Sequence, residues 1–341
     1  MATLGEEVGL RQVREDELDA LKQRLARHLP HSLAVYGAAS LAARYGLHSL
    51  RPASILVPTC PRPSCLTVMA SITSSAMQCL VVFWSLEEHT VKDVTDRLSR
   101  LPHLDWNQRV IMFSVPTVLL PSLQSLKQLG TPTSDASSPY IEHLYSSRHR
   151  RFSMPLQSLS SWGHRRVTLQ APYIEHLYQL KTPTILNAKL PQMYNVTRLR
   201  KEDASAVWTN WEFNTFYSME SVRNDIIYFP SVGIRERGPE DGAGSLQEAE
   251  EILVSWVCTS KFGRMGSTFT LPQHRHQGLA GAATMALASQ LLQEGLPVFV
   301  VIEDSNTASV QLHEKLGFER QIAAVDVELL FTKAAIQDYL E

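Results

Sequence analysis

The chain has 341 residues, of which 44% are hydrophobic and 19% are charged, and its formal net charge is -2. This composition is typical of a globular protein with a sizeable buried core, and so small a net charge argues against a nucleic-acid partner. No run of eighteen apolar residues occurs, so we expect neither a membrane-spanning helix nor a membrane partner.

The cysteines bear on the redox state of the protein's compartment, and the N-terminus bears on its targeting. Four cysteines are too few and too irregularly spaced for a disulfide framework, which favours a reducing compartment. Cys60 and Cys65 resemble half of a metal site, but no matching second pair exists, so we expect no bound metal. The first ten residues contain two glutamates and no arginine, unlike a secretory signal or a transit peptide. We therefore find no clear targeting signal.

Residues 1–130 have the pattern of an α/β domain. Apolar residues at spacings of three to five predict a helix over residues 10–29, which Pro30 closes. Strands that alternate with helices then indicate an α/β fold, although we find no catalytic motif in this part. The predicted strands lie at residues 53–57, 65–72, 79–84 and 110–115, and the predicted helices at residues 91–101 and 119–129.

Residues 131–171 are crowded with Ser, Thr, Pro, Arg and His, and we interpret them as a low-order linker or an insertion. The heptapeptide Pro-Tyr-Ile-Glu-His-Leu-Tyr occurs at residues 139–145 and again at residues 172–178. Two copies are too few for a solenoid, so duplication of a coding segment, or a gene model that kept two alternatives, is the better explanation. We hypothesise that only the second copy packs, because continuous ordered sequence follows it.

Residues 172–341 form the third predicted region. From residue 194 onward, the pattern predicts the order β-α-α-β-β-β-α-β-α-β. Ser218 is the expected N-cap of the second helix, because a carboxylate follows in the first turn. The predicted strands lie at residues 194–199, 231–235, 252–259, 266–270, 297–302 and 323–331, and the predicted helices at residues 202–211, 218–228, 278–294 and 307–316.

The strongest chemical signal lies where the fourth of these strands passes into a long helix. The connecting turn reads Arg275-His276-Gln277-Gly278-Leu279-Ala280. Unpaired backbone N–H groups and the helix dipole make such a helix start a binding site for a pyrophosphate. Gly278 has no Cβ and lets phosphates approach the backbone, Ala280 keeps the turn tight, and Arg275 adds positive charge.

Taken alone, this turn is also compatible with an ordinary strand-turn-helix. A second segment favours the functional interpretation, because Asn306, Ser309 and His313 precede Lys-Leu-Gly-Phe at residues 315–318. An apolar strand is predicted before this segment and another strand after it.

Together the two segments resemble the GNAT superfamily of acyl-CoA N-acyltransferases, in which R/Q-x-x-G-x-G/A binds the pyrophosphate of coenzyme A. More narrowly, the segments at residues 199–204, 230–233, 254–257 and 270–279 look like the glycine N-acyltransferase and glycine N-acyltransferase-like family. The resemblance covers residues 172–335 well and residues 8–130 more loosely. It implies an α/β (α+β mixed-sheet) GNAT fold in the C-terminal half and a degenerate GNAT-like α/β N-terminal half.

The resemblance also implies a mechanism. Acyl-CoA would be the co-substrate, and an amine would attack its thioester directly, accelerated by proximity and orientation. The strands at residues 266–270 and 297–302 would splay apart around the pantetheine arm. A backbone N–H near Phe269, Thr270 or Leu271 would polarise the thioester carbonyl. Asn306 and Ser309 would hydrogen-bond the pantetheine, although Asn306 is also a candidate helix N-cap.

The proton-transfer groups are less clearly indicated. An amine nucleophile must lose a proton, and many superfamily members carry a glutamate on the strand before the phosphate turn. This chain has no glutamate at residues 263–270, and Arg264 stands near the expected position. Glu303, with Asp304 beside it, ends an apolar strand and is our candidate base through water. His313 stands where the superfamily often has a tyrosine that protonates the thiolate, and it is our candidate acid. Solvated surface roles are the alternatives.

Other side chains near these segments have two interpretations each. His274 and His276 flank the phosphate turn, and we expect them to contact phosphate rather than act as a base. An aromatic cluster lies in and after the helix at residues 202–211 and either caps the acceptor pocket or packs in the core. The members of this cluster are Trp208, Trp211, Phe213, Phe216 and Tyr217.

The leading interpretation is an enzyme, an N-acyltransferase that moves an acyl group from acyl-CoA to the amine of glycine or another small amino acid. The alternatives are a protein lysine or N-terminal acetyltransferase and a non-catalytic acyl-CoA-binding relative, which the missing strand carboxylate favours. We expect a monomer. The resemblance suggests a mitochondrial location, with the cytoplasm as the alternative.

Overall fold

The computed structural model describes residues 10–58, 67–74, 77–83, 109–116, 173–182, 190–212, 214, 217–237 and 251–330. Several sequence predictions lie outside these residues. They are the helices at residues 91–101 and 119–129, the linker, the first heptapeptide copy, the cysteine pair at residues 60 and 65, and the aromatic residues 213 and 216.

The N-terminal part contributes five strands and two helices to the described residues. The strands are β1 (Leu10–Gln12), β2 (Ser54–Pro58), β3 (Thr67–Ser74), β4 (Met77–Phe83) and β5 (Arg109–Pro116), and the helices are α1 (Leu18–Ala26) and α2 (Leu33–Tyr45).

The predicted helix over residues 10–29 is wrong at its start. Arg11 pairs with Val57 of β2, and the Val13 N–H donates to the Ile55 carbonyl, so this backbone is satisfied by a distant strand. The helix begins only after an acidic turn at Glu15–Glu17, whose carboxylates suit a helix N-terminus. Sequence analysis also missed α2, because buried residues lie on most of its faces and leave no amphipathic period.

The C-terminal part follows the predicted element order. The strands are β6 (Tyr173–Gln179), β7 (Tyr194–Thr197), β8 (Ser231–Glu236), β9 (Ile252–Thr259), β10 (Met265–Thr270), β11 (Phe299–Glu303) and β12 (Glu319–Leu330). The helices are α3 (Ala204–Thr209), α4 (Met219–Tyr228), α5 (Leu279–Gln293) and α6 (Thr307–Lys315). The order from β7 to β12 is therefore confirmed, and the second heptapeptide copy forms β6.

The strands form two sheets. The larger sheet has the order β1-β2-β3-β4-β5-β12-β6-β11, in which only β4 and β5 run parallel among the described pairs. The smaller sheet has the order β10-β9-β8-β7 and is antiparallel throughout. N-terminal and C-terminal strands thus share the larger sheet.

A gap between the sheets positions the candidate site. β10 is the last strand of the smaller sheet and β11 is the last strand of the larger one, and the two strands contact each other without pairing. Each strand therefore keeps one edge with backbone groups that no other described strand uses. The sequence predicts that these strands splay apart, and they stand at the facing edges of separate sheets.

Helix α5 connects the two sides of this gap and is anchored in the core. Leu279, Ala283, Leu287 and Leu291 recur every fourth residue and are all buried, so they form one apolar face. This face packs on β8 and β9. The Ser218 side chain caps α4 by accepting from the Ser221 N–H, as predicted. Within the part of the chain that the structure describes, no helix is both long and apolar enough to cross a membrane.

Candidate functional site

The turn between β10 and α5 has an unusual backbone. His276 and Gly278 both adopt left-handed conformations, with φ of 62° and 78°. At Gly278 a Cβ would meet no atom of the residues that the structure describes within 4 Å, so among these residues the space in front of the helix is open. The left-handed φ favours glycine at this position, and the absent side chain leaves the helix N-terminus accessible.

This turn offers the features of an anion site. The first N–H groups of α5 have no acceptor within the helix, and the dipole adds partial positive charge there. Arg275, His276 and Gln277 are exposed around the same turn, whereas Leu279 is buried and Ala280 is half-buried. The structure therefore brings together the predicted residues of the turn around an open helix N-terminus.

Arg275 is held at the end of β10. Its Nε donates to the Thr270 carbonyl at 3.1 Å, and its guanidinium carbon lies 5.6 Å from the centre of the Phe269 ring. Phe269 in turn packs on the buried Trp256, with ring centres 5.1 Å apart. The strand end thus fixes a cation close to the turn at residues 275–280.

A hydrogen-bond network that the sequence did not indicate supports this turn from β7. The Tyr194 hydroxyl donates to Gln277 Oε1 at 2.9 Å and lies 3.0 Å from His274 Nδ1. His274 Nε2 lies 3.8 Å from the Glu236 carboxylate. Because a hydroxyl has one proton, Tyr194 accepts from His274 while it donates to Gln277. Tyr194 therefore ties both ends of the turn to the smaller sheet.

The candidate oxyanion donors differ in their backbone contacts. The Leu271 N–H donates to the Val254 carbonyl of β9 at 2.9 Å, so it is already engaged. Successive N–H groups of a strand point to opposite edges, which directs the Thr270 N–H toward the gap. The Ser255 hydroxyl fixes this strand end, because it donates to the Phe269 carbonyl and contacts the Thr270 hydroxyl at 2.7 Å.

At the start of α6, the side chain of Asn306 caps the helix by accepting from the Ser309 N–H at 3.1 Å. This confirms the N-cap interpretation and leaves the amide nitrogen of Asn306 as a separate donor. Gly281 of α5 faces Leu312 and Leu316, since a Cβ there would lie 3.7 Å from each side chain. The C-terminal end of α6 is therefore packed beside the start of α5.

His313 is buried, contrary to the expectation for a surface helix residue. Its Nδ1 donates to the Ser309 carbonyl at 2.8 Å, and its ring meets Phe318 edge-on at 5.1 Å. Its Nε2 has no hydrogen-bond partner among the described residues. Burial lowers the pKa of His313, which keeps the imidazole neutral with a free lone pair on Nε2.

Glu303 and Asp304 lie at the end of β11, beside the larger sheet. The Glu303 carboxylate accepts from the Ser305 hydroxyl at 2.8 Å. Asp304 lies 2.6 Å from Nδ1 of the buried His176 on β6, and His176 Nε2 contacts Arg320. Sequence analysis did not single out His176, although it belongs to the second heptapeptide copy.

A small cavity of about 40 Å³ lies at the start of β10. Trp211 and Tyr217 form its aromatic wall, stacked with ring centres 4.8 Å apart. Asp225 and Arg264 supply its charged groups, and Ser267 contributes a left-handed bulge with φ of 52°. Two members of the predicted aromatic cluster therefore line a cavity.

Trp208, another member of the cluster, packs against the core. Its Nε1 donates to the Tyr217 carbonyl at 2.7 Å, which holds the chain before α4 in place. The core interpretation therefore applies to Trp208, and also to Trp211 and Tyr217, which pack in or against the core as well as lining the cavity.

Asp225, which lines this cavity, forms a buried ion pair with Lys261, and sequence analysis missed this pair. Lys261 is fully buried, and its Nζ lies 3.2 Å from Oδ1 of Asp225. The same Nζ donates to the Ser221 hydroxyl, and the Lys261 backbone N–H donates to Asp225 Oδ2. Burial raises the pKa of Asp225, and the Lys261 ammonium opposes that rise.

Comparisons with known proteins are consistent with this architecture. Residues 242–327 match the family model described as FR47-like protein, which covers less than half of the chain. A Drosophila protein of known structure is similar over 94% of this chain and 98% of its own, with 17% identity and a TM-score of 0.67.

Two further structures are named for their activity. A candidate acetyltransferase from Pyrococcus horikoshii covers 98% of this chain and 94% of its own, with 8% identity and a TM-score of 0.54. A GCN5-related N-acetyltransferase from Kribbella flavida covers 85% and 94%, with 13% identity and a TM-score of 0.48. The chain therefore has the mixed α/β fold of the Drosophila protein and of the Pyrococcus horikoshii candidate acetyltransferase, which confirms the predicted fold class.

Proposed function

We propose that this chain is an acyl-CoA-dependent N-acyltransferase in which an amine attacks the thioester directly. The observation that carries the proposal is the left-handed turn at His276 and Gly278, which opens α5 beside the gap between β10 and β11. Coenzyme A has a pyrophosphate on one end of a flexible arm and the thiol on the other. The open helix N-terminus suits the pyrophosphate, and the unpaired strand edges suit the amides of the arm.

The proposed roles follow from the positions of the residues. The backbone from Arg275 to Ala280 holds the phosphates, with the Arg275 guanidinium as the cation. The Thr270 N–H polarises the thioester carbonyl, and Phe269 and Leu271 flank it. Asn306 and Ser309 contact the pantetheine from the start of α6. Glu303 and His313 stay our sequence-based candidates for proton transfer.

We further propose glycine or another small amino acid as the acceptor, as in the glycine N-acyltransferase-like family. The cavity of about 40 Å³ beside β10 favours a small molecule. Asp225, which lines it, presents a carboxylate to the ammonium of such a molecule.

A non-catalytic acyl-CoA-binding role is the second candidate. One observation favours it, because β10 reads Met-Gly-Ser-Thr-Phe-Thr and contains no carboxylate that would deprotonate an amine. Acylation of a protein lysine or N-terminus is the third candidate, and it would need room for a peptide beyond the small cavity. The monomeric state and the mitochondrial or cytoplasmic location stay predictions.

The proposal is tested by following the release of free thiol from acetyl-CoA and benzoyl-CoA. Glycine, other small amino acids and a lysine peptide serve as acceptors, and mass spectrometry identifies the amide product. We expect turnover with a small amino acid and none with the peptide. A protein that binds coenzyme A but releases no thiol with any amine would instead support the non-catalytic role.

Gly278→Asp is the informative variant in this assay, since it places a carboxylate in front of α5. Gly295→Asp is its matched control, because Gly295 also has a left-handed φ, of 71°, and open space around it at the other end of the same helix. Only Gly278→Asp should abolish turnover. If both variants lose turnover equally, the loss results from damage to the helix rather than from the proposed phosphate site.

A further inference from the structure

The acceptor amine needs a proton acceptor, and β10 does not supply one. At neutral pH a small amino acid carries an ammonium, which has no lone pair for attack until one proton leaves. The candidate base Glu303 lies at the end of β11, whereas the small cavity lies at the start of β10. A base in the wall of this cavity would lie beside an amine that binds there.

Asp225 is the carboxylate that the fold places in that wall. It lies on α4, which packs against β9, and its side chain is 11% exposed. Gly266 and Ser267 of the bulged strand β10 line the same cavity. A cavity of about 40 Å³ holds little more than a few water molecules, so one amine can contact both walls.

Lys261 gives Asp225 a fixed position. The lysine Nζ lies 3.2 Å from Oδ1, and the Lys261 backbone N–H donates to Oδ2, so one residue holds both carboxylate oxygens. The Ser221 hydroxyl contacts the same Nζ, and the Tyr217 ring centre lies 5.9 Å from it. Because each carboxylate oxygen has two lone pairs, the carboxylate still has capacity for another donor.

The other groups around Asp225 define its electrostatic surroundings. Lys261 and Arg264 face the region as cations from the turn after β9, and Cys258 faces it from β9 itself. Burial and the charge of Asp225 both raise the pKa of the Cys258 thiol, so this thiol stays neutral. The carboxylate is therefore the basic group that this cavity wall presents to an amine.

We propose that Asp225 is the proton acceptor for the acceptor amine, an inference that rests on the proposed acyl transfer. Asp225 takes one proton from the ammonium, and the free nitrogen attacks the thioester carbon. The C–N bond forms and the C–S bond breaks. The thiolate takes the proton that the nitrogen loses as the amide forms, and Asp225 releases its proton to solvent. Lys261 is a positioning residue that holds the carboxylate in one orientation.

The test compares Asp225→Asn with Asp203→Asn. Asp203 forms an ion pair with the buried Arg235, at 2.5 Å, and does not line the cavity, so it is the matched control. Thiol release is measured from pH 5 to pH 10 with the preferred amino acid. Coenzyme A affinity is measured in parallel by calorimetry, which should show no change in either variant.

We expect Asp225→Asn to lower kcat at neutral pH about 100-fold, the typical size of a general-base contribution. The deficit should shrink as pH rises toward the pKa of the free amine, because the substrate then arrives deprotonated. Hydroxylamine is mostly neutral at pH 7 and should react with the variant almost as fast as with wild type. Asp203→Asn should keep the wild-type pH profile.

Two outcomes would overturn the inference. A pH-independent deficit that hydroxylamine does not relieve would make Asp225 a structural residue, while the proposed function would stand. Absence of turnover in the wild type would overturn both. If Asp225→Asn fails to fold, the double variant Asp225→Asn with Lys261→Met replaces it, because this variant removes both charges of the pair. It should show the same pH-dependent loss of kcat and the same relief by hydroxylamine.

Discussion

The two ends of the candidate site are built in different ways. At the phosphate turn, backbone groups of consecutive residues form the site, and side chains only support it. At the small cavity, side chains from α4, β9 and β10 converge across more than forty positions of sequence. A site made from backbone leaves a compact motif in the sequence, whereas a site made from distant side chains leaves none.

The two ends should also respond differently to mutation. Removing a charge at the exposed turn costs little folding energy, because solvent replaces the lost partner. Removing one partner from the buried pair leaves an uncompensated charge in the interior. Mutations at the turn should therefore mainly lower the affinity for coenzyme A, whereas mutations at the cavity should mainly lower the free energy of unfolding.

The largest stability effect is expected for Lys261→Met. The substitution leaves the buried Asp225 without its cation, and we expect a loss of about 3–5 kcal/mol in the free energy of unfolding. Urea unfolding followed by tryptophan fluorescence measures it. Adding Asp225→Leu should restore much of the loss, because no buried charge remains. If Lys261→Met alone is as stable as wild type, the expected penalty for an unpaired buried charge is absent, which would mean that water reaches the pair.

At the turn, Arg275→Gln should weaken coenzyme A binding about tenfold, because the phosphates lose the cation beside β10. The loss should shrink as salt is raised, since screening already weakens the charge in wild type. Arg223→Gln is the control, since Arg223 forms an exposed pair with Glu220 on α4. Calorimetry at low and high ionic strength distinguishes the two, and equal effects would contradict the assignment.

Tyr194→Phe should have a smaller effect on the same turn. It removes the hydroxyl that joins His274 and Gln277, which is expected to cost about 1 kcal/mol of stability and a severalfold loss of coenzyme A affinity. Tyr228→Phe, at an exposed position, controls for loss of a hydroxyl. An unchanged affinity in Tyr194→Phe would show that the turn keeps its shape without this support.

The smallest effect concerns pH and His313. The folded-state pKa of this histidine lies below its usual value of 6.5, so folding disfavours its protonated form. Its contribution to stability is complete above the unfolded pKa and is lost as pH falls through that value toward the folded one. His313→Leu should therefore lose less stability than wild type between pH 7 and pH 5. Parallel unfolding curves across this range would contradict the burial effect.

Sequence analysis correctly predicted the structural features that depend on local residue patterns. Helix α5, the glycine that opens it and the strand order from β7 to β12 follow from periodicity and turn chemistry, and the structure agrees. The helix α2 escaped detection because its apolar residues are not confined to one face. The Lys261–Asp225 pair escaped because a lone lysine in a turn and a lone aspartate in a helix each resemble surface residues.

The central claim is that the turn before α5 binds the pyrophosphate of coenzyme A. Calorimetric titration of coenzyme A into the wild type, Gly278→Asp and Gly295→Asp tests it most directly. We predict binding by the wild type and by Gly295→Asp, and affinity lowered about 100-fold or more in Gly278→Asp, because a carboxylate then faces the helix N-terminus. Absence of binding to folded wild type, or unchanged binding to Gly278→Asp, would contradict the claim.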